Sequence, residues 1–178
     1  KPIVIDRFQF KQDEEGYLGA ERSHLSVVDG GSGTVSPLTE SRFDETLPRW
    51  SPDGSRIAFM TKRGDDPDRH NNWDVYLIEP RAGAVASQLT TNPGADGDTS
   101  EEWGVASASF SPDGSQVAYL HGGPPELIWY GLVQVGVIAS AGGEAGLPTK
   151  GLDRNTVDPQ WSPDGKSFYI SSVGGQKI

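Results

Sequence analysis

The sequence predicts an all-β protein, and more narrowly a partial β-propeller built from four-stranded antiparallel blades. A ten-residue pattern occurs three times, starting at Trp50, Phe110 and Trp161, and joins an aromatic residue, Ser-Pro-Asp-Gly and a segment of alternating apolar residues. Successive copies start 60 and 51 residues apart, whereas one propeller blade takes about 40 to 50 residues. A unit of this size cannot bury both of its faces alone, so it must stack against its neighbours.

The composition supports this fold class. The 178 residues include 23 Gly and 13 Pro, which suit many short turns, and no segment shows the periodicity of a helix. The net charge of −10 and the pI of about 4.6 disfavour nucleic acids and anionic membranes as partners. The lack of cysteine excludes disulfides and thiolate metal sites, and no apolar run is long enough to span a membrane. We therefore expect no nucleic-acid partner, no membrane partner and no cofactor.

Each Ser-Pro-Asp-Gly copy predicts a tight hairpin turn. Proline fixes φ near about −65°, aspartate bonds its own backbone and glycine tolerates a positive φ. The structural turn residues are Pro52, Asp53, Gly54, Pro112, Asp113, Gly114, Pro163, Asp164 and Gly165. The preceding aromatic residues Trp50, Phe110 and Trp161 are expected to pack between blades, since a repeated core contact explains their equivalent positions.

Four units account for the chain: two whole blades between two partial ones, or about three blade equivalents. The first unit, 1–39, has predicted strands at 3–11, 24–29 and 37–39. The second unit, 44–91, has them at 47–51, 56–61, 74–79 and 87–91. The third unit, 104–151, repeats the plan at 106–111, 116–121, 129–138 and 147–150, and the fourth, 156–178, supplies only 159–162 and 167–173.

The long connections are predicted to project from one face of the molecule. In a four-stranded blade, the Ser-Pro-Asp-Gly turns and the turns between the third and fourth strands share one face, here called the turn face. The opposite loop face receives the charged segments 12–23, 40–46, 62–73, 92–103, 121–128 and 152–158. Loops on a rigid scaffold are where binding residues concentrate, so the loop face is the expected contact surface.

The repeat resembles the propeller repeat shared by TolB-like proteins and by serine peptidases of the prolyl oligopeptidase family. The opening of the chain, with IDRFQFK at 5–11, GYL at 16–18 and RSHLSVVD at 22–29, resembles the acylaminoacyl-peptidase-like branch of that family. The resemblance implies that a separate α/β-hydrolase domain cuts short peptides, while the propeller screens them by size and helps to bind them. A second hypothesis is a TolB-like propeller without peptidase activity that binds a protein partner.

No catalytic residue is predicted in this chain. A serine hydrolase of the suspected family needs Gly-x-Ser-x-Gly, which does not occur, and Gly30-Gly31-Ser32-Gly33 lacks its spacing. The chain opens on Lys1 rather than Met and closes after the second strand of its last unit. We therefore expect a piece of a longer protein whose hydrolase domain lies elsewhere.

Four arginines of the loop face are the candidate substrate contacts, because a guanidinium can hold a peptide carboxylate through two hydrogen bonds. They are Arg22, Arg63, Arg69 and Arg154. The alternative is that each forms a surface ion pair with a nearby acid, worth about 0 to 1 kcal/mol.

Three acidic clusters invite a functional interpretation, and each is better explained as solvated loop. Asp65, Asp66, Asp68 and His70, or the pair Asp96 and Asp98, contain oxygen ligands for a hard cation but lack a defined ligand pattern, so we expect no metal. Dipeptidyl peptidases of the wider family hold a substrate's amino terminus with propeller glutamates. Glu101 and Glu102 lack the surrounding motif, and we interpret them as a link between blades.

The chain is also expected to associate with itself. Each partial unit would expose unpaired strand edges, and the strands that one partial unit lacks are supplied by the other. Two copies of about three blades give six, within the usual range of about 4 to 8. The predicted partner is therefore a second copy, in a homodimer that completes blades in trans; in the longer protein the partners are its own hydrolase domain and short peptides.

The first prediction is that the purified chain hydrolyses neither acyl-peptides nor peptide nitroanilides, because no nucleophile elbow is present. A colorimetric assay, run beside an active serine peptidase, measures this. Turnover that a single serine substitution in this chain abolishes would contradict it.

Overall fold

The computed structural model describes residues 4–5, 7–13, 16–97 and 108–172. Within them the chain forms antiparallel sheets and two short 3₁₀ helices, at Pro67–Arg69 and Pro125–Tyr130, which confirms the all-β class. Residues 3, 6, 106–107 and 173 of the predicted strands lie outside the described residues. The strands are β1 (Lys11–Gln12), β2 (Gly16–Tyr17), β3 (Ser26–Val28), β4 (Val35–Pro37), β5 (Glu45–Trp50), β6 (Ile57–Thr61), β7 (Asp74–Ile78), β8 (Ser87–Gln88), β9 (Ser109–Phe110), β10 (Gln116–His121), β11 (Gln134–Ala139), β12 (Thr156–Trp161) and β13 (Phe168–Ser172).

The sheets follow one another along the chain. The central sheet has the order β5-β6-β7-β8, and the next has the order β11-β10-β9. The pairs β3-β4 and β12-β13 lie on either side of these two sheets in the sequence, and β1-β2 is a separate short hairpin. Neighbouring strands in these sheets pair antiparallel, as hairpin turns require.

The central sheet is apolar on both faces. Successive residues of a strand point to opposite faces, and in β6 Ala58 and Met60 pack against the sheet that contains β10, while Ile57 and Phe59 pack towards β3 and β4. β7 divides its side chains in the same way, between Leu77 on one side and Tyr76 on the other. The two cores therefore lie between successive sheets, as they do in a stack of propeller blades.

The three Ser-Pro-Asp-Gly turns share one hydrogen-bond network. In each turn the serine hydroxyl donates to the aspartate Oδ1 over 2.6 Å. That hydroxyl oxygen also accepts the backbone N–H five residues later, at 2.9 to 3.0 Å. The glycines have φ of 68 to 71°, a left-handed conformation that a β-branched residue cannot adopt without strain. These bonds lower the pKa of Asp53 and Asp113 to about 2, with the serine hydroxyl as the largest cause.

Successive turns touch one another across the sheets. A Cβ atom on Gly114 would lie 3.6 Å from Cδ of Pro52, and one on Gly165 would lie 3.5 Å from Cδ of Pro112. The indole N–H of Trp161 donates to the backbone oxygen of Ser109 over 3.1 Å, which ties β12 to the inner strand of the preceding sheet.

The aromatic residues before the turns differ in burial. Phe110 packs against the core between the second and third units, and Trp161 is half-buried, with its ring centroid 4.1 Å from that of Phe168. Trp50, in contrast, is 53% exposed. The packing between blades that is predicted for Trp50 is not seen among the described residues.

A threonine repeats in the same place in three units. The hydroxyl oxygens of Thr39, Thr90 and Thr149 each accept the N–H of a residue 14 or 15 positions earlier, namely Leu25, Val75 and Val135. The hydroxyl thus accepts a hydrogen bond from a backbone N–H at the start of the third strand of the unit. This N–H would otherwise be unpaired in the interior.

Three predicted strands differ from the structure: two are shorter than predicted, and one is replaced by a turn. Residues 7–9 form a bend rather than part of a strand over 3–11, because Arg7 is held by Asp68 and none of the described strands pairs with them. The predicted strand 129–138 begins only at Gln134; the preceding prolines favour a helical turn instead. The predicted outer strand 147–150 is a turn, since Gly146 and Thr149 already bond to β11. Among the described residues the sheet of the third unit thus has three strands rather than four.

The other predicted strands are present with shifted ends. Two of the inner strands, β5 and β12, share an irregularity, because the pairing shifts after Thr46 and after Val157. Leu47 and Asp158 lie at these points with φ of 55° and 51°. A repeated β-bulge therefore bends each inner strand.

We predict that Gly54→Val, Gly114→Val and Gly165→Val each lower the free energy of unfolding by more than about 1 kcal/mol, because valine is strained at positive φ. Urea unfolding measures the change. Gly30→Val is the matched control, since Gly30 has open space around it and no positive φ. Unchanged stability in all three turn variants would contradict the proposed role of these turns.

Candidate functional site

Charged side chains gather on the loop face between the first and second units. The connection 62–73, the link 40–44 and the segment 7–22 bring five arginines together, and this group is here called the arginine cluster. It consists of Arg7, Arg22, Arg42, Arg63 and Arg69. Of the four arginines singled out from the sequence, three belong to it.

Asp68 organises one half of the cluster. Arg7 donates to both of its oxygens, from Nε over 2.8 Å and from Nη2 over 2.9 Å. Nη1 of Arg22 lies 3.1 Å from Asp44 and 3.8 Å from Asp68. The hydrogen bond from Arg7 is the largest cause of the lowered pKa of Asp68. Asp68 is therefore an ionised anchor that ties the start of the chain to the connection 62–73.

Arg63 occupies the centre of the other half. Its Nη2 donates to Glu45 over 3.0 Å, and Nδ1 of His24 lies 3.3 Å from the second oxygen of the same carboxylate. The guanidinium carbon lies 4.5 Å from the ring centroid of Tyr76 and 5.5 Å from that of Phe43. Aromatic faces stabilise a cation in this position, so Arg63 is fixed in place by both charge and stacking.

Two cations of this region have no carboxylate within ion-pair distance in the described part of the chain. Arg42 donates to the backbone oxygen of Gly64 over 2.9 Å and lies 5.0 Å from the Phe43 ring centroid. Lys62 donates to the backbone oxygen of His70 over 3.2 Å and lies 5.2 Å from the Trp73 ring centroid. Burial lowers the pKa of Lys62. Both cations remain able to bind an external anion.

The other two arginines predicted to contact substrate, Arg69 and Arg154, lie in different surroundings. Arg69 pairs with Asp66 over 2.7 Å and lies with its guanidinium carbon 4.5 Å from the Phe8 ring centroid. Arg154 is exposed in the link 152–155 and does not join the cluster. Sequence reasoning missed Arg42, although it stands beside a phenylalanine in a charged segment of the loop face, and Arg7, which it placed in the predicted strand 3–11.

Two of the acids considered as metal ligands form ion pairs instead. Asp66 and Asp68 pair with arginines, and Nδ1 of His70 accepts the backbone N–H of Asn72. Among the described residues there is no group of three or more His, Asp or Glu suited to a metal. Asp98, Glu101 and Glu102 lie outside the described residues.

A second polar centre is buried between the second and third units. Asp96 is fully buried, with Oδ1 3.2 Å from Nδ2 of Asn92 and 3.4 Å from Nδ1 of His121, whereas its Oδ2 has no partner in the described residues. Asp74 is 5% exposed and bonds to Gln88 and Thr90. Burial, followed by the nearby charge of Asp96, raises the pKa of Asp74 to about 7.

The turn face carries two open depressions. One of about 420 Å³ is lined by Ser55, Arg56, Glu79, Pro80 and Arg81, and one of about 310 Å³ lies between the turns at Pro112 and Pro163. The second depression is lined by residues of the repeated turns, and neither depression is lined by a residue of the arginine cluster.

The stacked antiparallel sheets with a repeated turn define a propeller-type β protein, and the comparisons agree. TolB from Acinetobacter baumannii superposes with a TM-score of 0.57 at 22% identity, over 84% of this chain and 32% of that one. The tricorn protease superposes with a TM-score of 0.61 at 14% identity, over 84% of this chain and 13% of that one. At these identities the likeness establishes the fold.

No family model matches the chain, but peptidases are similar to it in sequence. The uncharacterized peptidase YuxL of Bacillus subtilis is 28% identical over 109 residues, which cover 61% of this chain and 14% of the relative. Dipeptidyl-peptidase 5 of Trichophyton equinum is 27% identical over 125 residues, which cover 68% of this chain and 17% of the relative. The resemblance to peptidase propellers and to TolB-like propellers is thus confirmed, and the chain spans less than a fifth of these relatives.

The raised pKa of Asp74 predicts a pH-dependent stability. Because the folded value of about 7 lies above the ordinary value of 3.8, the folded state binds this proton more tightly than the unfolded state. Protonation of Asp74 therefore stabilises the folded state fully below about pH 4, and this stabilisation is lost as the pH rises through 7. Between pH 5 and 8 the free energy of unfolding of the parent chain should therefore fall by on the order of a few kcal/mol. We predict that this fall is absent in Asp74→Asn.

Urea unfolding of both proteins at pH 5 and pH 8 measures this effect, in a range where Asp53 and Asp113 stay ionised. Asp153→Asn removes an exposed carboxyl and serves as the control. Equal pH dependence of the Asp74→Asn variant and the parent chain would show that Asp74 titrates normally.

Proposed function

We propose that this chain is the substrate-screening propeller of a serine peptidase resembling the acylaminoacyl-peptidase branch of the prolyl oligopeptidase family. In this proposal the loop face binds short peptides, and a hydrolase domain of the longer protein cuts them. The sequence similarity to YuxL and to dipeptidyl-peptidase 5 supports an association with peptidases. The propeller folds of the solved neighbours support the architecture.

The observation that carries the binding role is the state of Arg42 and Lys62. Each contacts a backbone oxygen and an aromatic face but has no carboxylate within ion-pair distance in the described residues. A peptide offers the missing anion at its carboxyl terminus and apolar side chains for Phe43 and Trp73. Charge-assisted hydrogen bonds are about twice as strong as neutral ones, so these two cations would select for a free carboxylate.

The other arginines have a supporting role in this proposal. Arg63 and Arg22 are committed to Glu45 and Asp44, and Arg7 and Asp68 hold the connection 62–73 against the first unit. Fixed neighbours reduce the entropy that Arg42 and Lys62 lose when they bind a ligand. The cluster therefore combines a rigid base with two available cations.

We predict that a short apolar peptide binds more weakly to Arg42→Gln and to Lys62→Met than to the parent chain. The expected loss is about tenfold in Kd for each variant, the equivalent of about 1.4 kcal/mol and typical of one charged hydrogen bond. Amidation of the peptide's carboxyl terminus should cause a similar loss in the parent chain and little further loss in the variants. Isothermal titration calorimetry measures all of these affinities.

Lys166→Gln is the matched control, because Lys166 is an exposed cation of the turn face. If the amidated and free peptides bind equally well, or if Lys166→Gln has the same effect as the cluster variants, the loop face does not bind peptide carboxylates. Capture of a folded protein instead of a peptide would favour the TolB-like alternative.

A further inference from the structure

The buried polar centre between the second and third units is joined to the proposed peptide site through Trp73. The ring of Trp73 supports Lys62, whose Nζ lies 5.2 Å from the ring centroid. The backbone oxygen of Trp73 accepts the N–H of Asp96 over 2.6 Å, and Asp74 is the next residue of the chain. Trp73 therefore connects one of the two available cations to both buried carboxyl groups.

The link 92–96 is packed backbone against backbone, so it has little room to adjust locally. The backbone oxygen of Ala95 accepts the N–H of Gly122 over 2.7 Å. A Cβ on Gly94 would collide with the backbone oxygen of Gly123, and one on Gly122 would lie 2.5 Å from that of Ala95. Because close-packed interiors transmit strain, a change of charge in this region moves the link as a unit.

The two carboxyl groups are buried among neutral donors and one histidine. Asp74 is 5% exposed and accepts hydrogen bonds from Gln88 over 3.1 Å and from Thr90 over 3.3 Å. Asp96 is 0% exposed, and its Oδ2 has no partner in the described residues. Nδ1 of His121 lies 3.4 Å from Oδ1 of Asp96. Of the described side chains, only this histidine can supply a positive charge within ion-pair distance of either carboxyl group.

The charges on the surrounding elements do not offset a second carboxylate. Burial raises the pKa of Tyr76 and of Tyr119, so both phenols stay neutral. Arg63 lies over the Tyr76 ring and is committed to Glu45. Within the described ranges Lys62 donates to a backbone oxygen and forms no ion pair with either carboxyl group.

The negative charge of the pair increases as Asp74 loses its proton near neutral pH. Burial, followed by the charge of Asp96, raises the pKa of Asp74 to about 7. Two carboxylates repel each other far more strongly in a water-poor interior than in water. Below this pH the proton of Asp74 removes the repulsion, and above it the packing around the link is strained.

We propose that the carboxyl pair Asp74 and Asp96 is a pH-sensitive switch for the peptide site, an inference that rests on the proposed function. When both groups are charged, their repulsion displaces the link 92–96. The bond from Asp96 to Trp73 transmits this movement, and Lys62 loses the aromatic support from which it binds a peptide carboxylate. Peptides therefore bind more tightly below neutral pH, and by reciprocity a bound peptide makes Asp74 hold its proton more strongly.

Isothermal titration calorimetry of a short apolar peptide at about pH 6 and pH 8 tests this coupling, since the peptide's carboxyl terminus stays ionised at both values. In the parent chain the Kd should be at least about fivefold weaker at the higher pH, the lower end of typical coupling between sites. In Asp74→Asn, whose amide cannot ionise, the Kd should change by less than about twofold. Asp153→Asn removes an exposed carboxyl and is the matched control, which should keep the full change. Circular dichroism verifies that each protein is folded at both pH values.

Two variants of the peptide site separate the switch from a general effect of pH. Lys62→Met should bind weakly and with little dependence on pH, whereas Arg42→Gln should bind weakly but keep the ratio of the parent chain, since Trp73 supports Lys62 and not Arg42. If Asp74→Asn keeps the full change, or if the parent chain binds equally well at both pH values, the switch is wrong and the proposed function stands. A peptide that binds at neither pH would overturn the proposed function.

Trp73 also provides a readout that needs no peptide. The tryptophan fluorescence of the parent chain should change between about pH 6 and pH 8, and this change should be absent in Trp73→Phe and in Asp74→Asn. A change that Asp74→Asn retains, or no change in the parent chain, would overturn the switch whether or not a peptide binds.

Discussion

The structure depends on one constraint: a sheet with two apolar faces must be covered on both sides. Ala58 and Met60 of β6 point to one neighbouring sheet, and Ile57 and Phe59 point to the other, with all four side chains buried. No single sheet of this size can shield such a strand from water, so the fold is a row in which each unit stabilises the next. Deleting one unit would expose the apolar face of its neighbour, and the stability of the whole is shared along the row rather than held in one centre.

Stacking of this kind requires that successive units present the same shape, and polar bonds set that shape. The serine hydroxyl of each turn bonds both the turn aspartate and a backbone N–H, which fixes where the second strand begins. At the other end of the unit a threonine hydroxyl fixes where the third strand begins. Apolar packing alone tolerates a slip of the strands by two residues, whereas a hydroxyl bonded to one specific N–H does not. These bonds therefore define the register, and burial supplies most of the stability.

The sequence allowed the repeat to be predicted because its information is local. Four consecutive residues set the φ angles of each turn, and short apolar runs indicate β6, β7 and β10. The threonine contact could have been found in the same way, since Thr39, Thr90 and Thr149 follow their strands at nearly constant spacing. The errors in the predicted strands arose where contacts with residues distant in sequence determine whether a segment forms a strand. Apolar alternation before Lys11 resembles a strand, but a strand needs a partner, and the ion pair between Arg7 and Asp68 directs the segment elsewhere. The arginine cluster was only partly predictable for the same reason: its members are distant in sequence, and composition does not say which acid each arginine meets.

The links between units show how this row of sheets combines stability with chemistry. At equivalent positions Glu45, Asp96 and Thr156 are buried, and each donates its backbone N–H to the preceding unit. Threonine at the last link satisfies its own hydroxyl by bonding the backbone oxygen of Val133. The carboxylates require more. Glu45 is matched by Arg63 and His24, whereas one oxygen of Asp96 has no partner among the described residues and lies near a second carboxyl, that of Asp74. A buried acid without a full set of partners destabilises the fold. This destabilisation therefore lies at the loop face, beside the surface that is proposed to bind peptides, and not at the turn face.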